Sequence, residues 1–469
     1  MQKLIILHSN DTHGRIEGLA RIATLVERTR AENPEIPVLY LDAGDCEETS
    51  VRLSNLTKGV GMYRLLRAAG CAVSTIGNGG LIRYSHHILP EYARAAGFPL
   101  LLANLLKPDG TLLDGVQAST ILTVGSLKLG IVGLTATRMS THLSDNPSLS
   151  YDVFGLTSLP PVPLVRELAD SVRQQGADVA ILLSHLGLSE DAAISLEAYE
   201  KFPLIIGAHT HNLIPAGAWS GKTLIAQAGM FAENLGRLDL AWDGTELHIE
   251  RVSMIPVTED ILPAPRVLAE IAQIEAEIEQ MQNHIIGELS EPLDFSDGRE
   301  CGTTNLMADA LRARTGAEVG LVTTGVALQD ALPAGPIKRM NLWEICPSPG
   351  NPGIVEMTGE QLLHIVKRGL DPVFAAERPR SFRGRARGLI HLSGASMRAG
   401  RLFIGNDPVE PTRIYRVGGS DWELDNYGGY AQAAWGLQPS YEIQTILREV
   451  VEDYLKDKGP VAVEMGRIE

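Results

Sequence analysis

Polar residues with the chemistry of metal ligands follow five of the apolar stretches that the sequence predicts as strands. They are two carboxylates, one amide and four imidazoles, at Asp11, His13, Asp45, Asn78, His185, His209 and His211. In open α/β sheets, ligands gather at the carboxyl ends of strands. In an extended segment, residues two positions apart point the same way, so the D-x-H and H-x-H pairs predict two side chains on one metal. We therefore expect all of these side chains at one edge of a sheet.

The number and type of these donors indicate two metal ions. Seven donors are too many for one tetrahedral zinc. They suit two divalent ions roughly 3.5–4 Å apart that share a carboxylate. Nitrogen and oxygen donors without thiolates favour Mn, Zn, Fe or Co. Taken singly, a D-x-H or a lone histidine is more often structural, and it is the joint pattern that favours a site.

The elements that must position these residues form an α/β pattern. Short apolar runs alternate with stretches that are apolar at helical spacing, which is typical of βαβ units around a buried sheet. Segment 235–257 alternates around Asp243-Gly244 and predicts a hairpin. The Pro-entered, charged stretch 263–289 predicts a helix that either connects two domains or packs on the first. We expect a metal-binding domain at 1–257, a linker helix at 258–289 and a second α/β domain at 290–469.

The length, charge and cysteine content of the chain limit its possible binding partners and its compartment. A chain of 469 residues exceeds one core, and its formal charge of −16 argues against nucleic acid polymers and anionic membranes. A small phosphorylated substrate stays open, because a bound metal inverts the local field. The four cysteines show no paired spacing and predict free thiols. With no membrane-length apolar run and no signal peptide before the first strand, we expect a cytoplasmic protein. A secreted protein trimmed of its leader would look the same, and the oligomeric state is left open.

The motifs around the candidate ligands resemble those of calcineurin-like metallophosphoesterases. The stretches are "SNDTHG" (9–14), "AGDCEETS" (43–50), "GN" (77–78), "LLSHLG" (182–187) and "GAHTH" (207–211). The chain is most similar to the bacterial 5′-nucleotidase family, which includes UDP-sugar hydrolases and 2′,3′-cyclic phosphodiesterases. The resemblance implies an N-terminal αββα sandwich with a dimetal centre and a smaller C-terminal α/β substrate domain. It also implies one ion held by Asp11, His13, Asp45 and His211, and another held by Asp45, Asn78, His185 and His209, with Asp45 as the bridge.

One family residue is missing beside these ligands. In the family, the asparagine is followed by a catalytic histidine and an acid, whereas this chain has Gly79 and Gly80. The run "GNGG" predicts a floppy end to the third strand. A positioned acid or charge donor typically adds about 10²–10⁴-fold to a rate, so its loss slows hydrolysis without abolishing it. His86 and His87 follow in a predicted loop and are candidate replacements, although a solvated pair is the simpler interpretation.

The second half also departs from the family pattern. Gln329 replaces an arginine that the family uses to hold substrate, and "CPSPGNP" has Asn351 but lacks the aromatic wall for a base. Trp422 and Tyr430 are the candidates for the other wall, with Trp422 equally open to a core role. The basic run 378–388 is either a solvated loop or a replacement anion clamp.

Two functions of different classes remain at this stage. The first is metal-dependent hydrolysis of a small, nucleotide-like phosphoester or phosphodiester by a hydroxide activated between two ions. The second is a metal-binding homologue that kept the site, lost turnover and acts as a binding protein. The complete ligand set favours the enzyme, and Gly79, Gly80 and Gln329 favour the binding protein.

Overall fold

The computed structural model describes residues 1–137, 151–198, 201–346, 348–378, 386–425, 428–456 and 458–469. The chain forms two compact units, Met1–Ile278 and Glu279–Glu469. The predicted boundaries at 257 and 290 flank this division.

The described residues of the first unit form fourteen strands, most of them short. They are β1 (Gln2–Ser9), β2 (Val38–Asp42), β3 (Val73–Thr75), β4 (Leu100–Leu101), β5 (Leu105–Leu106), β6 (Ser119–Val124), β7 (Leu127–Thr135), β8 (Thr157–Ser158), β9 (Val179–His185), β10 (Leu204–Ile206), β11 (Ala218–Ser220), β12 (Thr223–Ala226), β13 (Asn234–Trp242) and β14 (Leu247–Pro256).

The helices of this unit cover both outer faces. They are α1 (Ile16–Glu32), α2 (Arg52–Leu56), α3 (Val60–Ala69), α4 (Asn78–Tyr84), α5 (Leu89–Ala96), α6 (Pro161–Gln174), α7 (Leu188–Glu197) and α8 (Pro265–Gln282), whose last turn belongs to the second unit.

Two six-stranded mixed sheets pack face to face in the first unit. Their orders are β14-β13-β1-β2-β3-β4 and β11-β12-β10-β9-β7-β6. Leu4 and Ile6 of β1 belong to the core between the sheets, whereas Ile5 and Leu7 belong to the core under α1 and α3. Because both faces of the strand are buried, the sequence reads as a continuous apolar run. The result is an αββα sandwich, and β13 and β14 form the hairpin predicted at Asp243-Gly244, with Gly244 at φ +100°.

Helix α8 packs on the first unit, which is the second of the two roles that the sequence left open. Ile274 and Ile278 are fully buried in the core beneath it. Arg64 of α3 pairs with Glu270 at 2.6 Å and with Glu277 at 2.7 Å.

The second unit is a smaller α/β fold. Its strands are β15 (Ile285–Leu289), β16 (Val319–Thr323), β17 (Gly335–Lys338), β18 (Pro352–Thr358), β19 (Ile390–Ser393), β20 (Ala395–Arg398), β21 (Arg401–Ile404), β22 (Asp407–Pro408), β23 (Ile414–Ser420) and β24 (Ser440–Tyr441). Its helices are α9 (Gly302–Thr315), α10 (Arg339–Ile345), α11 (Gly359–Gly369), α12 (Pro372–Ala376), α13 (Asp421–Leu424) and α14 (Leu447–Lys456). The central sheet has the order β19-β16-β23-β18-β24, with α9 and α14 on one face and α11 on the other. No helix within the described ranges combines the length and the apolar character that a membrane crossing needs.

Candidate metal centre

The loops that leave β1 and β2 are joined backbone to backbone at the candidate site. The amide of Asp11 donates to Gly44 O at 2.9 Å, and the amide of His13 donates to Asp45 O at 3.1 Å. These bonds hold the two loops side by side just beyond two adjacent parallel strands. The first candidate carboxylate is thereby fixed relative to the second.

Five of the seven candidate ligands adopt left-handed backbone conformations. The φ angles are +48° at Asp11, +43° at His13, +53° at Asp45, +72° at His209 and +58° at His211. Each such non-glycine residue costs of order 1–3 kcal/mol, and strain of this kind clusters at functional sites. The sequence argument from extended x-spaced pairs is therefore wrong in its geometry. These pairs lie in tight turns after the strands, because the cross-loop hydrogen bonds bend the chain as soon as the sheet ends.

The first cluster of donors is Asp11, His13 and His211. The Nε2 atoms of the two histidines are 3.1 Å apart. Asp11 Oδ1 lies 3.5 Å from His211 Nε2 and 3.9 Å from His13 Nε2. Asn10 Nδ2 donates to Asp11 Oδ2 at 2.7 Å and orients that carboxylate.

The second cluster is Asp11, Asp45 and His185. His185 Nε2 is 3.2 Å from Asp45 Oδ2 and 3.8 Å from Asp11 Oδ1. His185 Nδ1 hydrogen-bonds Ala43 O at 2.8 Å, which turns Nε2 towards the carboxylates, as the outer partner of a ligating histidine usually does. The His209 ring lies next to it, with centroids 5.3 Å apart. Asp11 is common to both clusters, so the bridging role that the resemblance assigns to Asp45 stays a prediction.

Asn78 completes the strand-end set from the first turn of a helix. Strand β3 ends at Thr75 and α4 begins at Asn78, so the predicted floppy strand end is wrong. The Gly79 amide donates to Asp45 Oδ1 at 2.8 Å, and this bond ties the start of the helix to the β2 loop. A Cβ at Gly77 would lie 2.2 Å from Asp45 Oδ1, so only glycine allows this approach.

The charge states of His185 and Asp45 depend strongly on each other. Burial alone would favour neutral groups, but the attraction between His185 and Asp45 outweighs it. This attraction lowers the pKa of Asp45 well below its usual range and raises the pKa of His185 to about 10. Burial, together with the charge on His185, lowers the pKa of His209 to about 4.

The donor set fits divalent cations. The side-chain oxygen of Asn78 is buried and has no hydrogen-bond partner within the described part of the chain. Buried polar atoms are almost always satisfied, so this oxygen is available to a ligand. Imidazole nitrogens and carboxylate oxygens at these separations are the donor types that Mn, Zn, Fe and Co accept, and a bound cation would displace the proton of His185.

Sequence reasoning missed Glu47, a buried carboxyl beside the centre. Its Oε1 accepts a hydrogen bond from Tyr63 OH at 2.8 Å, and its Oε2 has no partner within the described residues. Burial and the neighbouring Asp45 raise the pKa of Glu47 to about 7. A Cβ at Gly80 would lie 2.6 Å from Glu47 Oε1, so the carboxyl fills the space that a side chain at 80 would need.

Sequence reasoning also missed Asp42, a buried carboxyl at the end of β2 that hydrogen-bonds the neighbouring strand ends. Its carboxylate accepts hydrogen bonds from Ser9 Oγ at 2.6 Å, Ser74 Oγ at 3.0 Å and the Gly44 amide at 3.1 Å. Burial raises the pKa of Asp42 to about 6. An acid at the end of a strand looked like ordinary sequence, and only the sheet register shows that it joins three neighbouring strands.

The candidate replacements for the missing histidine lie in a short 3₁₀ turn rather than an open loop. His86 is half-buried and His87 is exposed, and their rings are 4.0 Å apart. Burial, then His87 and Lys107, lower the pKa of His86, and Asp114 opposes them. None of these groups belongs to the metal clusters, so a catalytic role for the pair stays a prediction without geometric support.

The candidate substrate residues of the second unit are partly committed to its own structure. The Asn351 amide donates to Ile443 O at 3.1 Å and to Thr445 O at 2.8 Å, which anchors the strand-end loop. Trp422 is half-buried against the core of α9 and α14. Tyr430 is fully buried, edge-on to Phe374, and this packing does not support the predicted stacking role.

Two further sequence predictions concern the same unit. Gln329 is half-buried, and its backbone amide donates to Ile345 O at 2.6 Å. Most of the basic run, residues 379–385, lies outside the described residues. Arg387 packs over Phe374 at 4.3 Å and pairs with Glu377 at 3.2 Å, so its guanidinium already has protein partners.

Comparison with known proteins agrees with this architecture. Residues 285–434 match the model of the 5′-nucleotidase C-terminal domain. The chain is 25% identical to YunD, an uncharacterized metallophosphoesterase of Bacillus subtilis, over 96% of each protein. The C-terminal part of the chain thus matches the 5′-nucleotidase family, and the whole chain resembles a calcineurin-like metallophosphoesterase.

More distant family members match over different lengths. The 5′-nucleotidase of Diplobatis ommata is 26% identical over 66% of this chain, but the match spans only 59% of that protein. A putative 5′-nucleotidase from Staphylococcus aureus has the same fold, with a TM-score of 0.63 over 99% of this chain and 98% of that chain, at 17% identity.

Proposed function

We propose that this protein hydrolyses small, nucleotide-like phosphoesters or phosphodiesters with two divalent metal ions. The observation that carries the proposal is the convergence of two carboxylates (Asp11 and Asp45) and three imidazoles (His13, His185 and His211) from strand ends of both sheets, rather than from the one sheet edge that the sequence predicts, with atoms within 4.8 Å of one another in each cluster. The family relationship supports a phosphoesterase, and the metal type and the substrate are part of the proposal.

The roles of the residues follow from their partners. One ion would be held by Asp11, His13 and His211. The other would be held by Asp45, Asn78, His185 and His209, and a carboxylate would be shared by both ions. When bound, the ions supply an activated water nucleophile and positive charge against the phosphate. Asn10 and Ala43 fix the orientation of Asp11 and His185 through their hydrogen bonds.

The site offers no side chain at position 79 to assist departure of the leaving group. Gly79 offers a backbone amide, already donated to Asp45, but no side chain that could protonate or stabilise a leaving oxygen. Nitrophenyl esters leave as stable anions and need no such help, whereas a sugar alkoxide does. We therefore expect measurable turnover of 4-nitrophenyl phosphate and bis(4-nitrophenyl) phosphate, and poor turnover of AMP.

Metal analysis and kinetics of the full chain test the proposal. After loading with Mn or Zn and removal of free metal, the wild type should retain close to two equivalents and hydrolyse both nitrophenyl esters. Asp45→Asn should lose metal and activity. Asp243→Asn is the matched control, because among the described residues this hairpin-turn aspartate forms an ion pair only with half-buried His248 and otherwise accepts from the Thr245 and Glu246 amides of its own turn. At most one equivalent in the wild type, unchanged by Asp45→Asn, would refute the dimetal site.

A further inference from the structure

Arg15 lies at the edge of the candidate metal centre. It follows His13 by two residues and directly precedes α1. Its side chain is exposed, and its guanidinium carbon is 4.6 Å from the centroid of the Phe231 ring. The same ring packs edge-on against His13, with centroids 5.7 Å apart. Phe231 therefore contacts both a candidate metal ligand and a cation.

This cation has no carboxylate partner within ion-pair distance among the residues that the structure describes. The acid next to it in the sequence, Glu17, pairs instead with Arg21 at 3.4 Å. Stacking on an aromatic face restrains a guanidinium while leaving its N–H edge free to donate. That edge matches the oxygens of a phosphate or carboxylate in a two-point contact.

The turn that carries Phe231 has a strained backbone, and a hydrogen bond and close packing hold it in place. Phe231 and Ala232 both have left-handed backbones, with φ of +57° and +54°. The Phe231 amide donates to Asp11 O at 2.8 Å. A Cβ at Gly18 would lie 2.7 Å from Ala232 Cβ, so α1 can approach this turn only because residue 18 has no side chain. The aromatic platform under Arg15 is thus tied to both the ligand loop and the helix that Arg15 precedes.

We propose that Arg15, supported by Phe231, binds a second anionic group of the substrate, beyond the phosphate that is cleaved. The inference rests on the proposed function, because it requires the first phosphate to be held near His13. It narrows the substrate class to phosphoesters that carry two negatively charged groups. Arg15 is then a specificity-determining residue, and Phe231 is its positioning residue.

Binding and turnover of a matched pair of esters test the assignment. Fructose 1,6-bisphosphate and fructose 6-phosphate differ in one phosphoryl group and are titrated calorimetrically into the Mn-loaded full chain, with released phosphate measured in the same samples. The wild type should bind the bisphosphate about 10-fold more tightly, as a charge-assisted two-point contact allows. Arg15→Gln should reduce this preference to about 2-fold or less, and Arg15→Lys should restore part of it, because lysine keeps the charge but loses the fork.

The controls separate this assignment from the proposed hydrolase. Arg21→Gln removes a cation in the second turn of α1 and should keep the preference, and Phe231→Leu should lower the preference without removing the charge of Arg15. An unchanged preference in Arg15→Gln, or equal loss of binding for both esters, would overturn the role of Arg15. If the preference depends on Arg15 but the same Mn-loaded preparation turns over neither 4-nitrophenyl phosphate nor bis(4-nitrophenyl) phosphate, the hydrolase proposal fails and the anion site stands.

Discussion

Adding a single methyl group at Gly80 should destabilise the first unit through Glu47. The ideal Cβ lies 2.6 Å from Glu47 Oε1 and 2.9 Å from Tyr92 OH, and real Cβ contacts are not that close. In a helix, Gly→Ala normally gains about 0.5–1 kcal/mol. Overpacking a buried site costs typically about 1–3 kcal/mol, so we expect a net loss of about 1–2 kcal/mol for Gly80→Ala. The loss arises because the carboxyl must leave its hydrogen bond with Tyr63, which is 2.8 Å long.

A double-mutant cycle in urea measures this coupling in the full chain. Glu47→Ala removes the nearer obstacle, so the cost of Gly80→Ala should fall by about 1 kcal/mol or more in that background. Hydrogen exchange of peptides covering 78–92 locates the change. Gly298→Ala is the matched control, since a Cβ there meets nothing within 4 Å, and its effect should be the same in both backgrounds. A neutral or stabilising Gly80→Ala, or the absence of coupling, would refute the conclusion that Glu47 occupies the space of residue 80.

Two more predictions address the site and its support. Gly79→His should raise turnover of 4-nitrophenyl phosphate about 10-fold or more over Gly79→Ala, because the Cβ meets only Asp45 Oδ1 at 3.1 Å. It should not select AMP over a simple sugar phosphate, and strong nucleotide selectivity in steady-state kinetics would contradict this. His8 is buried without hydrogen-bond partners in the described part of the chain, and burial lowers its pKa to about 4. The contribution of His8 to the free energy of unfolding is fully present above pH ~6.5 and falls by about 3 kcal/mol as the pH drops to 4, because the unfolded chain then binds a proton that buried His8 does not. In urea unfolding at several pH values, His8→Leu should make the free energy of unfolding depend less on pH, whereas the exposed control His284→Gln should not. An unchanged pH dependence in His8→Leu would contradict this prediction.

Strand periodicity predicts an α/β domain with ligands at strand ends, whereas the two-sheet sandwich is expected only from the family resemblance. Strands such as β1 and β9 are buried on both faces and read as uninterrupted apolar runs. A polar residue that directly follows such a run must emerge at the sheet edge. His185 could therefore be assigned to a strand end, but β9 belongs to the second sheet and β1 to the first, so the single sheet edge expected for His185 and Asp11 is wrong.

The sequence does not predict how the chain turns at that edge. Asn-Gly-Gly has poor helix propensity, and a helix starting at Asn78 contradicts the local preference. The helix forms because the Gly79 amide bonds Asp45 and because Leu81 is buried in the core under α3 and α5. Both interactions come from residues distant in the sequence or from packing, so no local pattern records them. The same holds for Glu47, whose burial depends on Tyr63 and on the missing side chain at Gly80.

The two adjacent glycines therefore differ in what they permit. At Gly79 the nearest atom to an added Cβ is Asp45 Oδ1 at 3.1 Å, and the Gly79 amide can keep its hydrogen bond to that carboxylate. At Gly80 the space already belongs to the carboxyl of Glu47, so an acid placed there would bring two buried carboxyls together and raise the cost further. The family motif cannot be restored by replacing both glycines at once while Glu47 remains. We therefore expect a histidine at 79 to be accepted in the wild-type background, and an acid at 80 to be accepted only when Glu47 is replaced.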